Sequence, residues 1–364
     1  MTVTSQDDSA PTQNPIDLLA QKLGQATWKN IRNARVRAQK MRIQYTGALK
    51  GLDTDDTSIV VFGSLARDEA TEQSDVDWTL LIDGMADPKH MDAAFTIQQK
   101  LDEKKAKAPG KEGTFGNLSF SHEILHWIGG EDDSNINTTR RILLLLESKP
   151  LGKSAAWERV RNNILHRYVT EDHGLWVPKK ERGVPLFLLN DIARYWRTMV
   201  VDFAYKQRTR NNKGYALRNI KLGLSRKLIY ASGMLACLRC HLDISDKDWS
   251  KSSRDNPQAL IDNLRTTFDM TPLEIFADTL IRVEYHHLLP ESKKLFDAYD
   301  KFLGLLQGQN MRKHLDELSI HAMDSDTEYI QAQTIRREFG DALLKIFLGQ
   351  DSDLRDLTIQ YGVF

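Results

Sequence analysis

Two aspartates, Asp75 and Asp77, stand two residues apart at the start of an apolar run, a short way beyond a Gly63-Ser64 pair that closes another such run. Side chains alternate along a strand, so both carboxylates point to one face, roughly 7 Å apart at about 3.3 Å per residue. Carboxylates so placed can share a pair of divalent ions, which in two-metal sites lie about 3.5 to 4 Å apart and clamp the attacking and leaving oxygens of a phosphoryl transfer. Upstream, the β-branched run Ile59 to Phe62 reads as a buried strand, Gly63-Ser64 as a tight turn, and Leu65 to Ala70 as a short helix. The start of that helix would aim backbone donors at an anion over the turn. A phosphate seat and a carboxylate pair in this order, at close range, are what phosphoryl-group chemistry needs.

The joint pattern of Gly63-Ser64, Ala66-Arg67, Glu69 and Ser74-Asp75-Val76-Asp77 resembles the signature of the DNA polymerase β-like nucleotidyltransferase superfamily. The resemblance implies an α+β fold with a small mixed sheet, and a nucleoside triphosphate substrate, ATP foremost, handled with two Mg²⁺ ions. Gly63 and Ser64 would hold its phosphates, and Asp75 and Asp77 the metals. In that superfamily the next strand commonly supplies a third carboxylate, as a metal ligand or as the base for the acceptor hydroxyl. Asn117 to Trp127 reads as that strand, and Glu123 is its only acid, so the role carries to Glu123. The acidic loop Glu131 to Asp133 is the alternative place for it. Arg67 and Glu69 are expected to brace the turn by pairing locally. From Arg140 onward the text is loosely similar to the helix and turn that follow the core in the signal-protein uridylyltransferase group and its relatives.

The elements that must position these residues divide the chain. Residues 1–14 read as a disordered tail, 15–50 as a long basic helix, 51–150 as the core and 151–364 as an all-helical bundle. The stretches 186–206 and 215–242 carry wide apolar stripes. Packed antiparallel, they would gather some of Arg194, Arg197, Lys206, Arg218, Lys221 and Lys227. By the superfamily resemblance such a bundle covers the nucleotide, and Arg218, Lys221, Ser225 and Arg226 sit at helical spacings that reach one ligand.

Charge narrows the partners only locally. Lys plus Arg equals Asp plus Glu at 50 each in 364 residues, so no global field draws nucleic acid or a membrane. Yet no acid occurs between Asp17 and Asp53, nor between Asp202 and Asp243, and both stretches are rich in Lys and Arg. These blocks either line a groove for a polyphosphate or RNA, or pair with acids elsewhere. Cys237 and Cys240, the only cysteines, fall in an apolar helical pattern and read as core rather than as a zinc site. No apolar run reaches membrane-spanning length, and a cytoplasmic protein is expected. Three functions are consistent with this text: nucleotide transfer to a protein or small molecule, polymerisation of nucleotides into a signalling oligonucleotide or onto an RNA end, and a catalytically silent nucleotide-binding scaffold.

Overall fold

A computed structural model describes residues 13–24, 26–108, 114, 116–176, 182–349 and 353–363. The fold is α+β and mostly helical, with one small mixed sheet. The disordered tail expected at 1–14 lies almost wholly outside the described residues.

Four strands form the sheet: β1 (Thr57–Phe62), β2 (Trp78–Ile82), β3 (Leu118–Phe120) and β4 (Ser148–Pro150), in the order β3-β2-β1-β4. β1 pairs antiparallel with β2 and with β4, while β3 runs parallel to β2. Every β1 and β2 residue is buried, because both faces of the sheet are covered. Alternation along the strands assigns Ile59, Val61, Leu80 and Ile82 to one apolar cluster, and Val60, Phe62 and Leu81 to another.

Helices α1 (Pro15–Lys22) and α2 (Lys29–Ala48) precede the sheet. The single long helix expected at 15–50 is thus two, broken where Gly24 takes φ +74°, a conformation a glycine adopts without steric cost. The one-turn α3 (Gly63–Ala66) follows β1, and α4 (Lys89–Glu103) packs with α2 on the first sheet face. α5 (Ser121–His126) and α6 (Asn135–Leu146) lie between β3 and β4, and α7 (Ala155–Thr170) and α8 (His173–Trp176) follow β4. The bundle continues with α9 (Leu186–Thr209), α10 (Tyr215–Lys221), a π-turn (Leu222–Arg226), α11 (Lys227–Asp243), α12 (Asp246–Lys251), α13 (Gln258–Asp269), α14 (Pro272–Leu280), α15 (Leu289–Gln307), α16 (Gln309–Glu317), α17 (Thr327–Leu348) and α18 (Asp353–Leu357). Its interior is one large apolar core that extends under the second sheet face through Val60, Phe62 and Leu81. Cys237 and Cys240 are core positions on α11. Among the described residues no helix is long and apolar enough to cross a membrane.

The strand expected over Asn117 to Trp127 is a correction. Only Leu118–Phe120 pairs with β2, which ends at Ile82, and the chain then turns into α5. The buried residues there, Ile124, Leu125 and Ile128, follow a helical spacing rather than a period of two.

Candidate functional site

Strand register assembles the site. Val61 pairs with Trp78, and the Phe62 amide donates to the Asp77 carbonyl at 2.9 Å, which sets Asp77 beside the end of β1. Phe62 pairs with Ser148, which sets Glu147 opposite Gly63 on the other flank. Three consecutive backbone events therefore converge at one end of the sheet: the close of β1, the approach to β2 and the start of β4.

Gly63 has φ +65°, and a Cβ there would stand 3.2 Å from Asp77 Oδ2. Both the conformation and the close carboxylate favour glycine. Ser64 Oγ donates to Ser74 Oγ at 3.0 Å, and Ser74 Oγ accepts from the Thr71 amide at 2.9 Å, so the turn is tied to the loop that carries the aspartates. Asp75 and Asp77 lie just ahead of β2, with Val76 buried between them. This alternation turns both carboxylates away from the core. Burial, then the neighbouring Asp75 charge, raises the Asp77 carboxyl above its ordinary range, and Glu147 adds to the rise.

Behind the turn runs a buried ion network. Arg67 donates from Nε and Nη2 to Glu69 Oε2 at 2.9 and 2.8 Å, and from Nη1 to Glu147 Oε2. Tyr299 Oη on α15 donates to Glu69 Oε1 at 2.8 Å, and Arg226 Nη1 in the π-turn donates to Glu147 Oε1 at 3.4 Å. Burial opposes the Arg67 charge, but Glu69 and Glu147 outweigh it and hold its pKa well above the usual arginine value. The expected bracing by Arg67 and Glu69 thus extends to the bundle. Both Glu147 oxygens face arginines and both Glu69 oxygens are bonded to Arg67 or Tyr299, whereas among the described residues Asp75 meets a cation at one oxygen only, Oδ1, 3.4 Å from Arg312 Nη2. Asp75 and Asp77 are therefore the carboxylates of the recess best placed to meet a further cation.

From the bundle side, the π-turn decides which residues face the recess. Its i→i+5 bonding brings residues five apart to the same side, so Lys221 and Arg226 both line the recess with Ser225. Lys221 is pulled down to a pKa of about 8 by burial and then by Arg312, against the pull of Asp75. Arg312 on α16 donates from Nη1 to the Gln73 carbonyl at 2.7 Å and from Nη2 to Asp75 Oδ1 at 3.4 Å.

The recess of about 120 Å³ therefore gathers Gly63, Ser64, Asp75, Asp77, Lys221, Ser225 and Arg226. Arg218 lines an adjoining cavity of about 820 Å³ that shares Asp75, Lys221 and Arg312 with the recess. Glu123 lines neither. It sits on α5 with its side chain 47% exposed, 3.7 Å from Arg140 Nη1. In the alternative loop, Glu131 is exposed and Asp133 is buried against Arg141, with bonds of 2.7 Å to both its oxygens. Arg194 pairs with Asp133 at 3.2 Å and lines a separate cavity with Arg197, so α9 does not bring those two arginines to Arg218 and Lys221.

Glu147, Arg312 and Tyr299 escaped the sequence reading. Arg312 and Tyr299 meet partners more than 200 positions away, beyond any local pattern. Glu147 left a trace: an acid directly after the four leucines Leu143 to Leu146 needs a buried partner.

The donor set fits divalent metal. Carboxylate oxygens are the ligands Mg²⁺ prefers, and it is usually held by one or two of them plus substrate phosphates. The raised Asp77 carboxyl is an excess of negative charge that a cation would relieve. Residues 44–114 match the nucleotidyltransferase domain family, from the end of α2 through β1, the turn, the aspartates, β2 and α4. No curated protein matches the chain. Glu147, Lys221, Ser225, Arg226 and Arg312 all lie outside the matched segment.

Proposed function

Starting from a nucleotidyltransferase domain at residues 44–114, we propose that this protein moves a nucleoside monophosphate from a nucleoside triphosphate, ATP foremost, to an acceptor hydroxyl with release of pyrophosphate. One observation carries the reading: Asp75 and Asp77 share a recess with the Gly63-Ser64 turn, and Lys221, Ser225 and Arg226 face them from the bundle. That recess offers anion donors and cation ligands on opposing walls.

Asp75 and Asp77 would hold the metal, which when bound neutralises phosphate charge and polarises the α-phosphorus. The chain's own groups do the positioning. Ser64 and the backbone at Gly63 meet the outer phosphates, with Lys221, Ser225 and Arg226 closing over them. Arg67 pairs with both Glu69 and Glu147 at the wall of the recess, and the three fix the turn against β4 and α15. Most of the rate enhancement then comes from orientation and preorganised charge.

The experiment is incubation with each of the four α-³²P-labelled ribonucleoside triphosphates and Mg²⁺, with and without cell extract, beside an Asp75→Ala/Asp77→Ala double variant. Label in a protein, an RNA or a new small nucleotide, absent with the variant, supports transfer. Nucleotide binding without transfer in any mixture would favour the silent scaffold.

A further inference from the structure

The π-turn that brings Lys221, Ser225 and Arg226 to the recess turns another of its residues, Gly223, to α17. A Cβ on Gly223 would stand 2.7 Å from Arg336 Cγ, closer than side-chain atoms pack. The stem of Arg336, on α17, thus lies directly on the backbone of the turn. Its guanidinium donates from Nη1 to Asn219 Oδ1 and to Gln333 Oε1, both at 2.9 Å. Gln333 Nε2 and Tyr329 Oη reach the same Asn219 oxygen at 2.9 and 3.3 Å. Tyr329, Gln333 and Arg336 follow one another at helical spacing, which places them on one face of α17. That face grips Asn219 on α10, just ahead of Lys221 and the turn. Helix α17 is itself fixed: Ala332, Ile335 and Phe339 are buried in the large core, and the Phe339 ring lies 5.7 Å from that of Tyr299.

We infer that Arg336 is a positioning residue for the nucleotide, acting through the π-turn on Lys221 and Arg226; the inference rests on the reading of the recess as a triphosphate site. A π-turn is rare and occurs mostly as a single bulge within an α-helix, as it does between α10 and α11. Were it to close into α-helical bonding, the chain on its two sides would shift by one residue, about 100° about the helix axis at 3.6 residues per turn. Lys221 and Arg226 would then no longer share the recess. The Arg336 stem occupies the space over Gly223, and its fork holds the Asn219 amide ahead of the turn, so α17 sets both the packing and the phase of the turn. Arginine suits the task, because its planar fork gives bonds in fixed directions while the stem covers backbone. Both acceptors are neutral amides, so it is the shape of the side chain that these contacts use.

The test is calorimetric titration of the full chain with Mg²⁺ and the α,β-methylene analogue of ATP, across a double-mutant cycle of Arg336→Ala and Lys221→Met. Arg336→Ala should weaken the nucleotide about tenfold in the wild-type background, the scale of a misplaced binding group. Where Lys221 is already replaced, the same change should cost about threefold or less. A merely structural residue would cost the same factor in both backgrounds, and that result would overturn the inference. An Arg336→Ala chain that binds as tightly as the wild type would overturn it as well. Arg336→Met, which keeps most of the stem and loses the fork, carries the same cycle under the same criteria where the alanine variant does not fold. Arg337→Ala removes an equal charge from the exposed neighbouring position and should leave affinity within about twofold. An equal loss there would overturn the positioning role in favour of long-range charge. Failure of the wild type to bind the nucleotide would instead sink the triphosphate reading of the recess, and the role of Arg336 with it.

Discussion

Arg42 and Lys221 come from the two acid-free basic stretches of the chain, and folding gives them opposite tasks. Arg42 on α2 donates to the Leu65 carbonyl at 2.6 Å and to Asp68 Oδ1 at 2.5 Å. Asp68 has φ +62°, an unfavourable conformation for a residue with a Cβ, so Arg42 pins a strained corner of the phosphate-facing loop. Arg37 likewise reaches the Ala70 carbonyl at 3.3 Å, and Arg35 reaches Asp17 at 2.7 Å. Lys221 faces the recess instead, while Arg226 lines it and also reaches Glu147 at 3.4 Å, and Arg218 lines the adjoining cavity and also donates to the Gly214 carbonyl at 3.2 Å. Even the second block is mixed, since Arg239 is bound to Asp243 and Asp278 at 2.8 Å each. Basic composition is the same in both stretches; what distinguishes them is whether the folded chain offers a carbonyl, a carboxylate or open space.

The largest expected effect lies in the carboxylates that the second block faces. Asp77→Asn should reduce transfer by about 10³-fold, the scale of losing a principal electrostatic group in an active site, read as kcat with the most reactive triphosphate. The same variant should raise Tm at neutral pH without metal. Burial and Asp75 hold the Asp77 carboxyl above its unfolded value, so its contribution to stability is complete at low pH and declines as pH rises through the folded value. Metal-free wild type should therefore lose stability from the ordinary carboxylate range upward, and Asp77→Asn should flatten that profile. A Tm that falls in the variant would contradict this account.

Lys221→Met comes next. Loss of a half-buried cation from a phosphate seat should weaken nucleotide binding by about 2 kcal/mol, roughly 30-fold, with Tm unchanged or higher at pH 7. With its pKa near 8 in the free protein, Lys221 sheds its proton as pH passes that value, and nucleotide affinity should fall there in wild type but not in the variant. Calorimetric titration across that range reads both effects. A variant that bound nucleotide normally would move Lys221 to the structural group.

Arg42→Ala should show the reverse: a stability loss of about 1.5 kcal/mol, the scale of hydrogen bonds to a charged group, in a denaturant titration, and nucleotide affinity within about twofold at a temperature where the variant is folded. A large change in affinity without loss of stability would erase the contrast between the blocks. The smallest effect belongs to Arg35→Ala. Its pair with Asp17 is partly exposed, and about 0.5 kcal/mol is expected.

How much of this was legible in the sequence follows from range. The first strand, the Gly63-Ser64 turn and the Asp75/Asp77 pair lie within one short stretch whose spacing has few alternatives. Arg218, Lys221, Ser225 and Arg226 were expected to meet one ligand from the superfamily resemblance and their helical spacing; the π-turn brings Lys221, Ser225 and Arg226 to the recess and leaves Arg218 in the adjoining cavity. Glu123 was misplaced because three strand residues and a short helix share an apolar composition, and only pairing with β2 tells them apart. Arg312 could not be read at all. Nothing around it distinguishes it from Lys313, and only the approach of α16 to the Gln73–Asp75 segment does.

The buried Arg67 network carries one more consequence, for cooperativity. Arg67 belongs to the segment that resembles a nucleotidyltransferase, yet Glu147 precedes β4 and Tyr299 belongs to α15. Val60, Phe62 and Leu81 are covered by the large helical core. Cutting the chain after residue 114 would strand a buried guanidinium and bare one face of the sheet, so the matched segment is not an excisable module. Sheet and bundle should melt as a single calorimetric unit, and a destabilising lesion far out in the helices should silence the aspartates by unfolding them.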